Sequence, residues 1–179
     1  MKLEEIKKES KTLYEGRVIT LEHDLVELPD GSEAKREVVR HPGGVGVVAM
    51  DDEGFIYFVR QYRYPFAEIT LEIPAGKLDR GGEDTRQAGM RELREETGLT
   101  SENFEFLGTF FATPGFCDEK ISIYFATGLS QGETDPDEDE FVECEKYKLS
   151  DAVKMIENGE IHDMKTVVGV LMVKNKLGL

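Results

Sequence analysis

Thiol and imidazole ligands are scarce in this chain. Its 179 residues include two cysteines, Cys117 and Cys144, in no CxxC or CxxH pattern. Reduced thiols in or near a core, in a cytoplasmic protein, are therefore expected over a disulfide or a zinc site. The three histidines, His23, His41 and His162, are scattered without metal-ligand spacing. Positive charge is also short: 22 Lys and Arg stand against 37 Asp and Glu, a net charge of −15. Sequence-independent binding to nucleic acid needs Lys and Arg against phosphate, so this balance argues against it. No apolar run approaches the ~18 residues of a membrane span. The start of the chain carries no signal-peptide pattern, so neither a membrane nor a secretory route is expected. Internal repeats and low-complexity tracts are missing as well.

What is present is an ordinary globular composition, 39% hydrophobic and 33% charged, which argues against disorder throughout. The length suits one compact domain with a smaller appendage. The Lys-rich start MKLEEIKKESK reads as a frayed end or short helix. Residues 12–28 alternate apolar and polar, a strand pattern. Pro29-Asp30-Gly31-Ser32 is turn chemistry, and Ala34 to Arg40 returns as a strand. A β-hairpin unit over residues 1–43 follows, with a boundary at His41-Pro42-Gly43-Gly44. So small a sheet is marginal alone, and it is expected to lean on the main domain or on a second copy of the chain.

Beyond it, residues 44–179 read as one domain. Strands are expected at Val45–Met50, Phe55–Tyr62, Leu71–Pro74, Phe104–Phe111, Ile121–Ala126 and Val142–Leu149. Helices are expected at Thr85–Thr97, Ser150–Asn158 and Lys165–Lys174, the first capped by Asp84 or Thr85 and closed by Gly98. Strands interleaved with a few helices indicate an α+β fold or a three-layer α/β/α sandwich, with a small antiparallel β unit at the N-terminus.

The densest chemistry lies in residues 76–99, GKLDRGGEDTRQAGMRELREETGL. On a helix, Glu92, Glu95 and Glu96 fall at i, i+3 and i+4 and share one face. Like charges so placed repel, costing roughly 0.2–0.5 kcal/mol per pair. An isolated Glu/Arg-rich helix is commonly a solvated face held by pairs such as Arg91 with Glu95. Here a glycine-marked loop, Glu83, an Arg-Glu pair, a double Glu and Gly98 occur in order. A positive ligand would relieve the repulsion, and Mg²⁺ takes carboxylate oxygens together with substrate phosphates. Gly89, within the helix, costs about 1 kcal/mol relative to Ala and points to a closely packed neighbour.

This constellation resembles the Nudix box of the Nudix hydrolases. Glu83 to Leu99 fit that pattern without a gap, while six residues rather than five separate Gly76 from Glu83. The surplus falls at Gly81-Gly82, in a turn, where insertions are best tolerated. The resemblance implies the Nudix fold, a mixed sheet between helices. It also implies a metal site of Glu92 and Glu96 with Glu95, Glu140 and the carbonyl of Ala75, while Gly76, Glu83 and Gly98 shape the box and Arg91 holds it together. Mg²⁺ is the implied ion, with Mn²⁺ as the alternative.

Two further stretches resemble the ADP-ribose pyrophosphatase branch. Pro114 stands fifteen residues past Leu99 in Thr113-Pro114-Gly115-Phe116, and Glu138-Asp139-Glu140 gives a Glu-x-Glu. Alone, the first is a plain turn and the second a solvated acidic loop. In the branch, the first Glu serves as the catalytic base or helps to position it, and the second reaches a metal. Glu138 matches the first and Glu140 the second; Glu140 and Glu95 remain neighbouring candidates for the base. Arg60-Gln61-Tyr62-Arg63-Tyr64-Pro65 resembles the branch's substrate strand, with Arg63 on the diphosphate, and Arg36-Glu37 resembles a ligand-holding pair reaching across a homodimer. Tyr14 is one candidate for stacking adenine. The implied activity is Mg²⁺-dependent cleavage of ADP-ribose to AMP and ribose 5-phosphate. The alternatives are another nucleoside diphosphate sugar or dinucleotide, a non-catalytic nucleotide sensor, or an acidic interaction scaffold.

Overall fold

A computed structural model describes residues 3–78, 82–134 and 141–179. The chain divides into two compact units, Met1–Gly43 with Phe111–Lys120, and Gly44–Phe110 with Ile121–Leu179.

In the first unit, β1 (Ile6–Glu15), β2 (Thr20–Glu27) and β3 (Glu33–Arg40) form an antiparallel sheet in that order. From Ile6 the Lys-rich segment is therefore a strand, not a frayed end or helix, and residues 12–28 fall in two strands rather than one. The cause is cross-strand pairing. Lys8 forms an ion pair with Glu27, and Ser10 donates to Asp24 at 2.5 Å. A tight turn, with the Gly16 amide donating to the Ile19 carbonyl at 2.9 Å, separates the two strands. The segment 111–120 docks on β3. The Val39 amide donates to the Phe116 carbonyl at 2.7 Å, and the Asp118 amide to the Val39 carbonyl at 3.1 Å.

The second unit is built on a seven-stranded sheet. Its strands are β4 (Gly44–Met50), β5 (Phe55–Arg63), β6 (Glu68–Glu72), β7 (Ala75–Lys77), β8 (Leu99–Phe111), β9 (Lys120–Gln131) and β10 (Val142–Lys148). The main order is β10-β5-β4-β9-β8, with β6 on β5 and β7 on β4. β4 and β9 run parallel while β4 and β5 run antiparallel, so the sheet is mixed. The helices are α1 (Thr85–Thr97), α2 (Leu149–Glu157) and α3 (Met164–Lys176).

β4 reads GVGVVAM and is buried on both faces, as a central strand covered on two sides must be. Val45, Val47 and Ala49 pack with Ala88 and Leu93 of α1. Val48, pointing the other way, packs with Ala152 and Val153 of α2 and Val170 and Val173 of α3. This is the α/β/α arrangement with a mixed sheet. Two glycines permit the close approach. A Cβ on Gly89 of α1 would lie 2.9 Å from Phe104 Cζ, and one on Gly169 of α3 would lie 2.7 Å from Val48 Cγ2. No helix among the described residues is long and apolar enough to cross a membrane.

Candidate active site

α1 begins where local chemistry says it should. The Asp84 side chain accepts from the Gln87 amide at 3.0 Å, satisfying one unpaired donor of the first turn. It ends at Gly98, whose φ of 72° lies in the left-handed region and whose amide returns to the Arg94 carbonyl. Between these caps Glu92 and Glu96 sit one turn apart on the buried side, 6% and 3% exposed. Charged side chains are almost never this buried without partners. The Ala75 amide donates to Glu96 Oε2 at 2.9 Å. Glu92 lies against Gly76, where any Cβ would fall within its carboxylate. The short strand β7 thus presents bare backbone to both carboxylates.

Arg91 gathers the other acids of the box. Its Nε and Nη2 reach the two Glu83 oxygens at 3.3 and 3.2 Å, and Nη1 reaches Glu92 Oε1 at 2.8 Å and Glu95 Oε2 at 2.9 Å. Burial works against its charge, but the hydrogen bonds to Glu83 and Glu95 and the charges of Glu92 and Glu83 hold its pKa above the ordinary arginine value. Glu95 is therefore turned to Arg91 and shares that partner with Glu92.

A second ionic node lies nearby in the same unit. Glu72, at the end of β6, is 2% exposed. Arg63 grips it with Nε at 2.7 Å and Nη2 at 2.6 Å, the two-pronged geometry of a strong Arg–carboxylate pair. Lys165 binds it from α3, and Thr70 Oγ1 donates to it at 2.5 Å. Burial pushes its pKa up, yet Arg63 and Lys165 outweigh that and bring it down to about 2. Lys165 also meets Asp163 at 3.0 Å. Asp163 caps α3 by accepting from the Thr166 amide, and Thr166 Oγ1 accepts from the Ile73 amide at 2.8 Å. Sequence reasoning identified Arg63 but missed Glu72, Lys165 and Asp163. A charge inside Leu71-Glu72-Ile73, a short apolar strand leading into the glycine loop, was the available signal.

The remaining expected residues belong to the first unit or fall outside the described residues. Arg36 is in the first unit, where its Nε and Nη2 bind Glu5 at 2.9 and 2.5 Å. Glu37 is exposed on β3, opposite His23. Tyr14, on β1, is also exposed. Pro114 lines a cavity of about 320 Å³ in the first unit with Val38, Phe111, Phe116, Cys117 and Lys120. Both cysteines are free thiols. Glu138 and Glu140 fall outside the described residues.

The capped helix, its buried carboxylates and the flanking glycine strand agree with the match of residues 40–167 to the NUDIX domain. The chain belongs to the Nudix hydrolase family. Residues 5–39 match the nucleoside diphosphate sugar hydrolase N-terminal domain. The chain is 47% identical to a methanol dehydrogenase activator of Bacillus methanolicus, over 90% of this chain and 88% of that protein. It is 41% identical to an ADP-ribose pyrophosphatase of Bacillus subtilis, over 99% and 96%. The fold matches a crystal structure of an ADP compounds hydrolase with a TM-score of 0.86 at 22% identity, covering 99% and 97% of the two chains.

Nudix hydrolases generally use divalent metal ions. The donor chemistry here fits a hard cation: Glu92 and Glu96 offer carboxylate oxygens beside the Ala75–Gly76 backbone.

Proposed function

We propose that this Nudix hydrolase cleaves the diphosphate of ADP-ribose with water, releasing AMP and ribose 5-phosphate, and that Mg²⁺ is its ion. The observation that carries the chemistry is the pair of buried carboxylates, Glu92 and Glu96, facing a strand with no side chain at Gly76. The choice of substrate takes its support from end-to-end likeness to the B. subtilis ADP-ribose pyrophosphatase.

In this reading Glu92, Glu96 and the Ala75 carbonyl would hold the ion, with Glu140 as a further ligand. The ion, when bound, would neutralise charge on the diphosphate and make a nearby water more acidic. Arg91 keeps Glu83, Glu92 and Glu95 in place against their mutual repulsion. Arg63 receives the diphosphate, for which a planar guanidinium is suited. Glu138 accepts the proton of the attacking water. Phosphoryl chemistry of this kind depends mainly on positioning and charge stabilisation, which is what these groups provide.

Residues 1–43 serve, in the same reading, to join two copies of a cytoplasmic homodimer, with Arg36, Glu37 and Pro114 contributing to the substrate site. All ten residues of β1 are exposed in the single chain, Ile6, Leu13 and Tyr14 among them, which supports a covering partner. Nucleic acid is not a partner, given the net charge of −15.

The test is ADP-ribose with and without Mg²⁺, products identified by mass. AMP with ribose 5-phosphate, formed only with the ion, is expected. Pyrophosphate released from nucleoside triphosphates in its place, or tight ADP-ribose binding without turnover, overturns the reading. A second reading is favoured by the 47% relative: stimulation of a methanol dehydrogenase. It is tested by adding the chain to such an enzyme and following alcohol oxidation.

A further inference from the structure

Among the described residues of the second unit, Glu72 is a buried acid at the centre of an ionic node and has no role in the reading above. Glu72 is nearly solvent-free and held from three sides, by Arg63, Lys165 and Thr70. Replacing a buried ion pair by apolar groups of similar size is often neutral or stabilising. Stability alone is thus a weak reason for this arrangement. What it does specifically is orient a guanidinium. Arg63 spends its Nε and Nη2 edge on Glu72, and among the described residues its Nη1 makes no hydrogen bond. A free arginine has many rotamers to lose on gripping an anion. This one has already lost them.

We propose that Glu72 is a positioning residue for the diphosphate: it fixes the Arg63 fork by one edge and leaves the Nη1 edge for the phosphoryl oxygens. The inference rests on the reading of Arg63 as a diphosphate ligand. Lys165 and Asp163 complete the device. Arg63 and Lys165 bring two positive charges, Glu72 and Asp163 two negative ones, so the cluster sums to zero. Without Lys165 the same cluster would carry a net charge of −1 and repel an anion approaching Arg63. With Lys165 present those four charges balance, and Glu96 also acts on the Arg63 guanidinium. Thr70 directs the same carboxylate oxygen that accepts from Arg63 Nε, Oε1. The Ile73 amide, tied to Thr166, anchors the strand between Glu72 and the Ala75 amide that holds Glu96.

The experiment titrates inorganic pyrophosphate, with Mg²⁺ present, into wild type, Arg63→Ala, Glu72→Gln and the double variant. Each single change is expected to weaken binding about tenfold. The double variant is expected to be no worse than Arg63→Ala, because Glu72 then has no guanidinium to orient. Should Glu72→Gln not fold, Thr70→Val takes its place, with a loss of about threefold that disappears in the Arg63→Ala background. Losses that multiply in either double variant, unchanged affinity in Glu72→Gln, or no pyrophosphate binding by wild type overturns the proposal. ADP-ribose turnover by wild type is measured separately. Its absence beside a non-multiplying cycle defeats the substrate assignment alone; turnover beside a multiplying cycle defeats only the role of Glu72.

Discussion

Gly76 and Glu92 occupy one space: a Cβ on the glycine would fall inside the carboxylate of the glutamate, which is itself only 6% exposed. The glycine of the loop is thus required by the metal-ligand candidate sixteen residues later, and the pair forms a single packing unit across β7 and α1.

Gly76→Ala should consequently be a site mutation disguised as a backbone one. Glu92 must rotate out, and its bond to Arg91 at 2.8 Å breaks with it. The expected outcome is a fall in kcat of at least ~100-fold, in line with losing a group that stabilises transition-state charge. The accompanying loss of stability is about 1–3 kcal/mol for overpacking. Steady-state kinetics and urea unfolding measure the two; full activity would remove Glu92 from the site.

Glu96→Gln isolates charge from shape. The amide oxygen can still accept from the Ala75 amide, which now bonds Glu96 at 2.9 Å, so the fold should persist with little change in Tm. The negative charge offered to the ion is gone. A drop in kcat of two or more orders of magnitude at saturating Mg²⁺ is expected. Wild-type turnover in the folded variant would exclude Glu96 as a ligand.

The contrast between α1 and the Glu72 node explains what the sequence disclosed. α1 runs Thr85–Thr97 as its pattern indicates, because Asp84 and Gly98 set its ends by contacts within a few residues. β1 was misread because its Lys and Glu residues favour helix in isolation; its pairing with β2 reaches, at Ile6 and Glu27, across about twenty residues. A charge inside Leu71-Glu72-Ile73 marks the position of Glu72, but its partner Lys165 lies 93 positions away on another element. Side-chain spacing on one element can be read from a string; convergence of three elements cannot. The alternation Val45, Val47, Ala49 against Val48 lies between these cases. The strand was legible, and which helix covers each face was not.

Gly89 tests the packing of α1 on the sheet. A methyl there would stand 2.9 Å from Phe104 Cζ and 3.0 Å from Val45 Cγ2. Helix propensity favours Ala over Gly by about 1 kcal/mol, but in a close-packed interior the steric cost is about 1–3 kcal/mol. Gly89→Leu, with a larger clash and less propensity gain, should destabilise by at least ~2 kcal/mol. Denaturant midpoints of both variants decide this. A stabilised Gly89→Leu would mean that α1 can lift from the sheet freely.

The pKa of Glu72 predicts a stability profile in acid. Its folded value is held down to about 2 from an ordinary 4.5. A depressed carboxyl contributes stability that is fully present above the unfolded pKa and is lost as pH falls toward the folded one. The window is therefore pH 4.5 down to about 2. The contribution is on the order of 3 kcal/mol, which Arg63 and Lys165 supply together. Glu72→Gln cannot titrate and leaves those two cations facing each other without the anion between them. The stability gap between wild type and this variant should be greatest near neutral pH and should close progressively below pH 4.5. Urea unfolding at pH 7, 4 and 3 measures the gap. A gap independent of pH would mean that Glu72 is not ionised between Arg63 and Lys165 in the folded chain.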